Sequence, residues 1–185
     1  MNLVLARHGE TEWNREGRIH GQSGPGLNAN GEKEILTLAE ELIKLKPDRI
    51  VSSDLRRTTQ SAAILVSVLR IPFHLDTRLR ECSFGTLEGT LKSEVRSRLG
   101  TDLPDDASPY DFHVVGGENR EEVLERHLLF VQELEERYPK EIVVLMGHGR
   151  GLTTLWNVIK PGDVIKRREY RFFDPRLLHA ALPRN

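Results

Sequence analysis

"LVLARHGETEW", residues 3–13, sets four apolar residues directly before an arginine, a histidine and a glycine. A short apolar run that ends abruptly fits a strand buried on both faces, with the polar groups emerging where it stops. The arrangement returns twice. "IVSS" (50–53) runs into Asp54–Arg57, and "IVVLM" (142–146) runs into Gly147-His148-Gly149. Between these runs Ile35, Leu38, Ala39, Leu42 and Leu45 recur at helical spacing until "KPD" (46–48) stops them. "RRTTQSAAILVSVL" (56–69) predicts a helix capped by Asp54 and ended before Pro72, and "FHLD" (73–76) an edge strand. Asn119 with Glu122 makes a capping box for a helix through Tyr138, with Val123, Leu124, His127, Leu128, Val131 and Leu134 on one face. Strands alternating with helices predict an α/β fold, a mainly parallel sheet covered by helices. Residues 103–117, rich in Pro, Asp, Ser and Gly, are expected to be irregular.

Length and charge narrow the function. The chain has 185 residues, 38% hydrophobic and 30% charged, without a linker or internal repeat, so 1–185 reads as a single domain. A net charge of -1 removes the electrostatic reason to propose nucleic acid or an anionic membrane as partner. The one cysteine, Cys82, excludes an internal disulfide and fits a reducing compartment, and no apolar run approaches a membrane span. The expected location is cytoplasmic, and homodimer formation is left open.

In open α/β sheets, ligands bind beyond the carboxyl ends of the strands. Arg7, His8, Arg57 and His148 then meet at one rim, where glycines beside both histidines allow close approach of an anion to backbone N–H groups. The implied guest is a phosphate, and the expected partner a small-molecule phosphate ester. His8, His148 and Glu81 could form a zinc set, but Arg7 and Arg57 would repel a dication. The residue six after Cys82 is Glu88, not the Arg a cysteine phosphatase loop requires. G-x-x-x-x-G-K-[ST] and G-x-S-x-G are absent, and "GQSGPG" (21–26) has neither the spacing nor the preceding strand of a dinucleotide loop. Neutral imidazole remains as a nucleophile able to attack phosphorus, and no metal or cofactor is called for.

"RHGETEWN" (7–14) followed by "HG" (20–21), then "SSDLRRTTQSA" (52–62), "LRECSFGTLEG" (79–89), "GGEN" (116–119) and "GHGRG" (147–151), resembles in order the landmarks of the histidine phosphatase superfamily, the branch of cofactor-dependent phosphoglycerate mutases and their phosphatase relatives. The resemblance spans positions 3 to about 155. It implies a three-layer, doubly wound α/β/α sandwich, with His8 as nucleophile, Arg7 and Arg57 as phosphate clamp, His148 as a second histidine on the phosphoryl group and Glu81 as proton donor. Asn14, Gly21, Gln22 and Gly149 match pocket positions. Arg150 stands where relatives carry Gly or Asn, and is expected to reach a second anionic group on the substrate. "SGPGLN" (23–28) departs from the family's Asp-x-Pro-Leu. The lid, the 35 residues from Cys82 to Gly116, holds no adjacent arginine pair of the mutase kind. That favours a phosphatase, with a mutase as first alternative and a non-catalytic phospho-ligand binder or phosphohistidine carrier as second.

Taken singly, the remaining candidates read as structural. His20 lies in the pocket turn, while His74, His113, His127 and His179 have no motif around them. Trp13 and Trp156 are expected to pack, Cys82 to fill space, and "KRRE" (166–169) to be a solvated face. "IKRREYRFFDPRLLHAAL" (165–182) suggests a terminal strand pair.

Overall fold

The computed structural model describes residues 1–182. Its centre is a five-stranded sheet of β1 (Asn2–Arg7), β2 (Arg49–Ser52), β3 (Phe73–Leu75), β4 (Ile142–Gly147) and β5 (Tyr170–Phe173) in the order β3-β2-β4-β1-β5. All pairs are parallel except β1–β5. Side chains alternate across a strand, and the core divides accordingly. Leu3, Leu5, Val143 and Leu145 face Phe130, Val131 and Leu134 of α5 (Arg120–Arg137) and Leu152 and Leu155 of α6 (Gly149–Trp156). Val4, Ala6, Val144 and Met146 face Ile35, Leu38 and Leu42 of α2 (Ala29–Leu42) and Ala62 and Leu65 of α3 (Arg56–Leu69). Burying each such aliphatic side chain is worth about 1.5–3 kcal/mol, so both layers hold the sheet. The expected three-layer α/β architecture is what forms.

Two short helices complete the frame near the site. The helix α1 (Glu12–Glu16) starts at a capping box made by Thr11 and Asn14, and α4 (Val95–Leu99) lies in the lid. The lid closes over a third apolar cluster, in which Phe84, Leu87, Val95, Tyr110 and Phe112 gather around Ile19 and the fully buried Cys82. The Asn119–Glu122 capping box forms as expected, residues 103–112 hold no helix or strand, and a single 3-10 turn covers His113–Val115.

Several local expectations need correction. Leu55, not Asp54, is the N-cap of α3, and it caps without a side chain. The Asp54 carboxylate instead takes a fork from Arg80, with Nε on Oδ1 at 2.7 Å, which holds its carboxyl below the usual range. A bidentate arginine outcompetes a cap that offers one N–H. The C-terminal stretch supplies one strand, β5, followed by α7 (Arg176–Ala181), in place of a strand pair. "KRRE" is only partly solvated, because Arg167 turns inward to Glu10 (3.1 Å) and Glu34 (3.4 Å). Phe130 joins the buried face of α5, while Leu124 and Leu128 are only partly covered. Among the described residues, no helix is long and apolar enough to cross a membrane.

Candidate active site

Register places the histidines. Arg7 of β1 pairs with Gly147 of β4, so the next residues, His8 and His148, leave the sheet side by side with ring centroids 5.3 Å apart. After β1 the chain packs α2 on one face of the sheet, and after β4 it packs α6 on the other, which opens a crevice between these neighbours. On the other side of β4 comes β2, where Ser52 pairs with Met146 and Ser53 Oγ reaches His148 Nε2 at 3.0 Å.

His8 Nδ1 lies 2.7 Å from the carbonyl oxygen of Gly9. A carbonyl only accepts, so the neutral ring carries its proton on Nδ1 and keeps its lone pair on Nε2. Burial, then the Arg57 and Arg7 guanidinium groups, push the His8 pKa well below the ordinary 6.5. His148 is held low by burial, Arg57 and His8. Both rings are therefore neutral at neutral pH.

Arg57 is 1% exposed and donates to the carbonyls of Ser23 (2.8 Å) and Gly21 (2.6 Å), which aims it into the pocket from the first turn of α3. Burial lowers its pKa to about 10, against the pull of Glu81 and Glu88, and it stays charged. Arg7 Nε, Arg57 Nε and His148 Nδ1 are buried without a hydrogen-bond partner among the described residues. Buried polar groups left unpaired are costly, and Arg7 and Arg57, which both line the cleft, favour an anion there.

Glu81 faces these groups from the lid side, 9% exposed. Its Oε1 accepts from Gly151 N (2.8 Å) and Cys82 N (3.0 Å), its Oε2 from Arg150 N (3.2 Å). The N-terminal turn of α6 thus orients the carboxyl group.

Arg7, His8, Asn14, Gly21, Arg57, Glu81 and Arg150 line one cleft of about 500 Å³. The remaining expected residues adjoin those that line it. His148 packs on His8; Gly149 lies under Arg7, where a Cβ would come within 2.6 Å of Cζ; Gln22 donates to the Glu81 carbonyl at 3.3 Å. Arg150 turns its guanidinium to the lid carbonyls of Pro104 and Asp105. His20, expected to be structural, lines the cleft, bonds Thr11 Oγ1 at 2.6 Å and is driven to a pKa of about 3 by burial and then Arg57.

Sequence reading missed Arg18, Lys92 and Asp106 on the cleft wall. It also missed the support beneath Glu81, where Arg126 donates to the carbonyls of Arg78 (2.6 Å), Arg80 (2.7 Å) and Glu81 (3.1 Å) and bonds Glu118. The signal for Glu118 was its place in "GGEN"; an α5 arginine offered none. Among the described residues there is no group of three or more His, Cys, Asp or Glu able to hold a metal ion.

The model of the histidine phosphatase superfamily, branch 1, matches residues 3–173. The chain belongs to this superfamily. The match runs past position 155, where the recognisable motifs end, and takes in β5. As a histidine phosphatase superfamily member it is 32% identical to the "Probable phosphoglycerate mutase GpmB" of Salmonella paratyphi A over 160 residues, 86% of this chain and 74% of that one. It is 34% identical to the protein of the same name from Cronobacter sakazakii over 166 residues, with the same coverage. Among solved structures it is similar to a mycobacterial glucosyl-3-phosphoglycerate phosphatase in complex with VO3, at a TM-score of 0.84 and 29% identity, covering 92% of this chain and 91% of that one.

Proposed function

We propose that the cleft hydrolyses a small phosphomonoester in two steps through a phosphohistidine on His8. The observation that carries this is the pairing of a neutral His8 with a free Nε2 and two buried arginines whose Nε groups lack a partner. Nε2 attacks phosphorus in line and the P–O ester bond breaks; Arg7, Arg57 and His148 take the charge on the equatorial oxygens. Glu81 gives the leaving alkoxide its proton, from Oε2, which accepts a single N–H. It then takes a proton from water as water displaces His8 from phosphorus, releasing inorganic phosphate. The arginines supply the positive charge, so the reaction proposed needs no metal. The structurally similar phosphatase forms a complex with VO3, an anion of phosphoryl size, which supports this reading.

A mutase is the second reading, favoured by the names of the relatives from Salmonella and Cronobacter. Against it, the lid contributes one cation to the cleft, Lys92, while Arg96 is turned to Asp102. Holding a bisphosphate for reorientation calls for more. With 3-phosphoglycerate and catalytic 2,3-bisphosphoglycerate, phosphate release should outrun formation of 2-phosphoglycerate. Isomerisation faster than release would make the mutase reading correct. A carrier or binder would turn over neither.

A further inference from the structure

The two ends of Arg150 serve different parts of the molecule. Its backbone N–H holds Glu81, whereas its side chain, 2% exposed, runs beneath the lid. There Nη2 donates to the Pro104 carbonyl at 2.6 Å and Nη1 to the Asp105 carbonyl at 3.1 Å; Asp106 Oδ1 lies 3.3 Å from Nη2, and the Tyr110 ring centre 4.6 Å from Cζ. Both Nη groups of this buried guanidinium are matched, all of the matches coming from the lid, while Nε is buried without a partner among the described residues. Among the described residues, the other hydrogen bonds of segment 102–106 go to Arg96, Ala107 and Ser108, on the lid itself. Arg150 therefore tethers this strap to the body of the fold, and Arg120 of α5 holds the next two residues through the Ala107 (2.7 Å) and Ser108 (3.3 Å) carbonyls.

The strap is also a wall. Lys92, Leu103, Asp106 and Arg150 line both the reaction cleft and an adjoining outer cleft of about 880 Å³ that includes Pro104 and Val164. We propose that Arg150 is a specificity-determining latch: by holding Leu103–Asp106 between the two clefts it admits phosphomonoesters with small leaving groups and excludes larger ones. The proposal rests on the phosphomonoesterase reading. When the latch is removed the clefts join, and the leaving group can extend outward while the phosphoryl group stays at His8.

Phenyl phosphate and 2-naphthyl phosphate test this, since their leaving groups are similar in basicity and differ in size. Arg150→Met keeps the apolar stem as far as the position of Nε and the backbone N–H on Glu81, and removes every side-chain donor to the strap. It should raise the naphthyl-to-phenyl ratio of kcat/KM by about tenfold or more, chiefly through KM, within the range of steric discrimination by pockets. Backbone amides of Ala107 and Ser108, which donate to Asp105, should exchange hydrogen faster, while those of β4 keep their protection; Arg150→Lys should be intermediate. Should Arg150→Met fold poorly, Pro104→Gly loosens the strap from the lid side and should move ratio and exchange the same way. Faster exchange with an unchanged ratio would overturn the size filter, and unchanged exchange would overturn the latch. Wild-type protein inert toward all phosphomonoesters would sink the hydrolase reading and the filter with it, while the exchange data would still report on the tether.

Discussion

His8 Nδ1 donates to the carbonyl oxygen of Gly9 across 2.7 Å, which leaves Nε2 as the atom that can attack phosphorus. The phosphoenzyme should therefore be the Nε2 isomer, acid-labile and alkali-stable, and absent from His8→Ala. Rapid quench with labelled substrate, alkaline digestion and separation of the two phosphohistidine isomers reads this directly. Label on Nδ1, or on Ser, Asp or Cys82, would refute the assignment.

Gly149 sits under the arginine clamp, where an added Cβ would approach Arg7 Cζ to 2.6 Å and Nη1 to 2.7 Å. Gly149→Ala should displace the guanidinium rather than unfold the protein, because those atoms end a side chain that can shift. A misplacement near 1 Å can cost about 10²-fold in rate, so kcat/KM should fall by about that much with little change in melting temperature. Equal losses of activity and stability would show that Gly149 serves packing alone.

What the sequence disclosed here was set by how local each signal is. The strand-end residues Arg7, His8 and His148 could be placed because apolar runs of period-breaking length point at the rim of a parallel sheet, and register then does the rest. Asn119–Glu122 was legible for the same reason, since a capping box is decided within four residues. Asp54 was misread because its partner, Arg80, is distant in sequence and near in space. Phe130 and the Arg126–Glu118 support escaped for that reason too: which neighbours α5 meets is fixed by tertiary packing, not by its own period. Lys92, Leu103 and Asp106 belong to a lid without hydrophobic periodicity, so their approach to the cleft left no trace in spacing.

His127 offers a test of stability against pH. Its Nδ1 donates to the Val123 carbonyl at 2.7 Å, its Nε2 is buried without a partner among the described residues, and burial lowers its pKa from 6.5 to about 3. Between those values the unfolded chain binds a proton that the native protein does not. The stability from neutral His127 is thus complete above about pH 6.5 and lost progressively as pH falls toward 3, at about 1.4 kcal/mol per pH unit per proton. From pH 6.5 to 5, above the main carboxylate range, His127→Leu should flatten the slope of unfolding free energy by roughly one proton. Urea titrations across that window measure it. Identical slopes would mean that the native ring takes up its proton.

Glu81 receives three backbone N–H bonds, from Cys82, Arg150 and Gly151, and this complicates the obvious substitution. Glu81→Gln removes the acid, but its amide NH₂ must also oppose at least one of those donors, so part of any loss is local disturbance. A comparison of leaving groups separates the two effects. An alkoxide is strongly basic and needs a proton as the P–O bond breaks, whereas p-nitrophenolate is a stable anion and needs little help. Disturbance slows both substrates alike and cancels in their ratio. General acid catalysis contributes ~10²- to 10⁴-fold, so release of an alkoxide leaving group should slow by about that factor more than release of p-nitrophenolate. Overall turnover would mislead, because the variant also lacks the base that activates water in the second step. Single-turnover release of the leaving group isolates the first step in both proteins. If the two substrates slow by the same factor, Glu81 positions the site or binds substrate, and the proton must come from elsewhere.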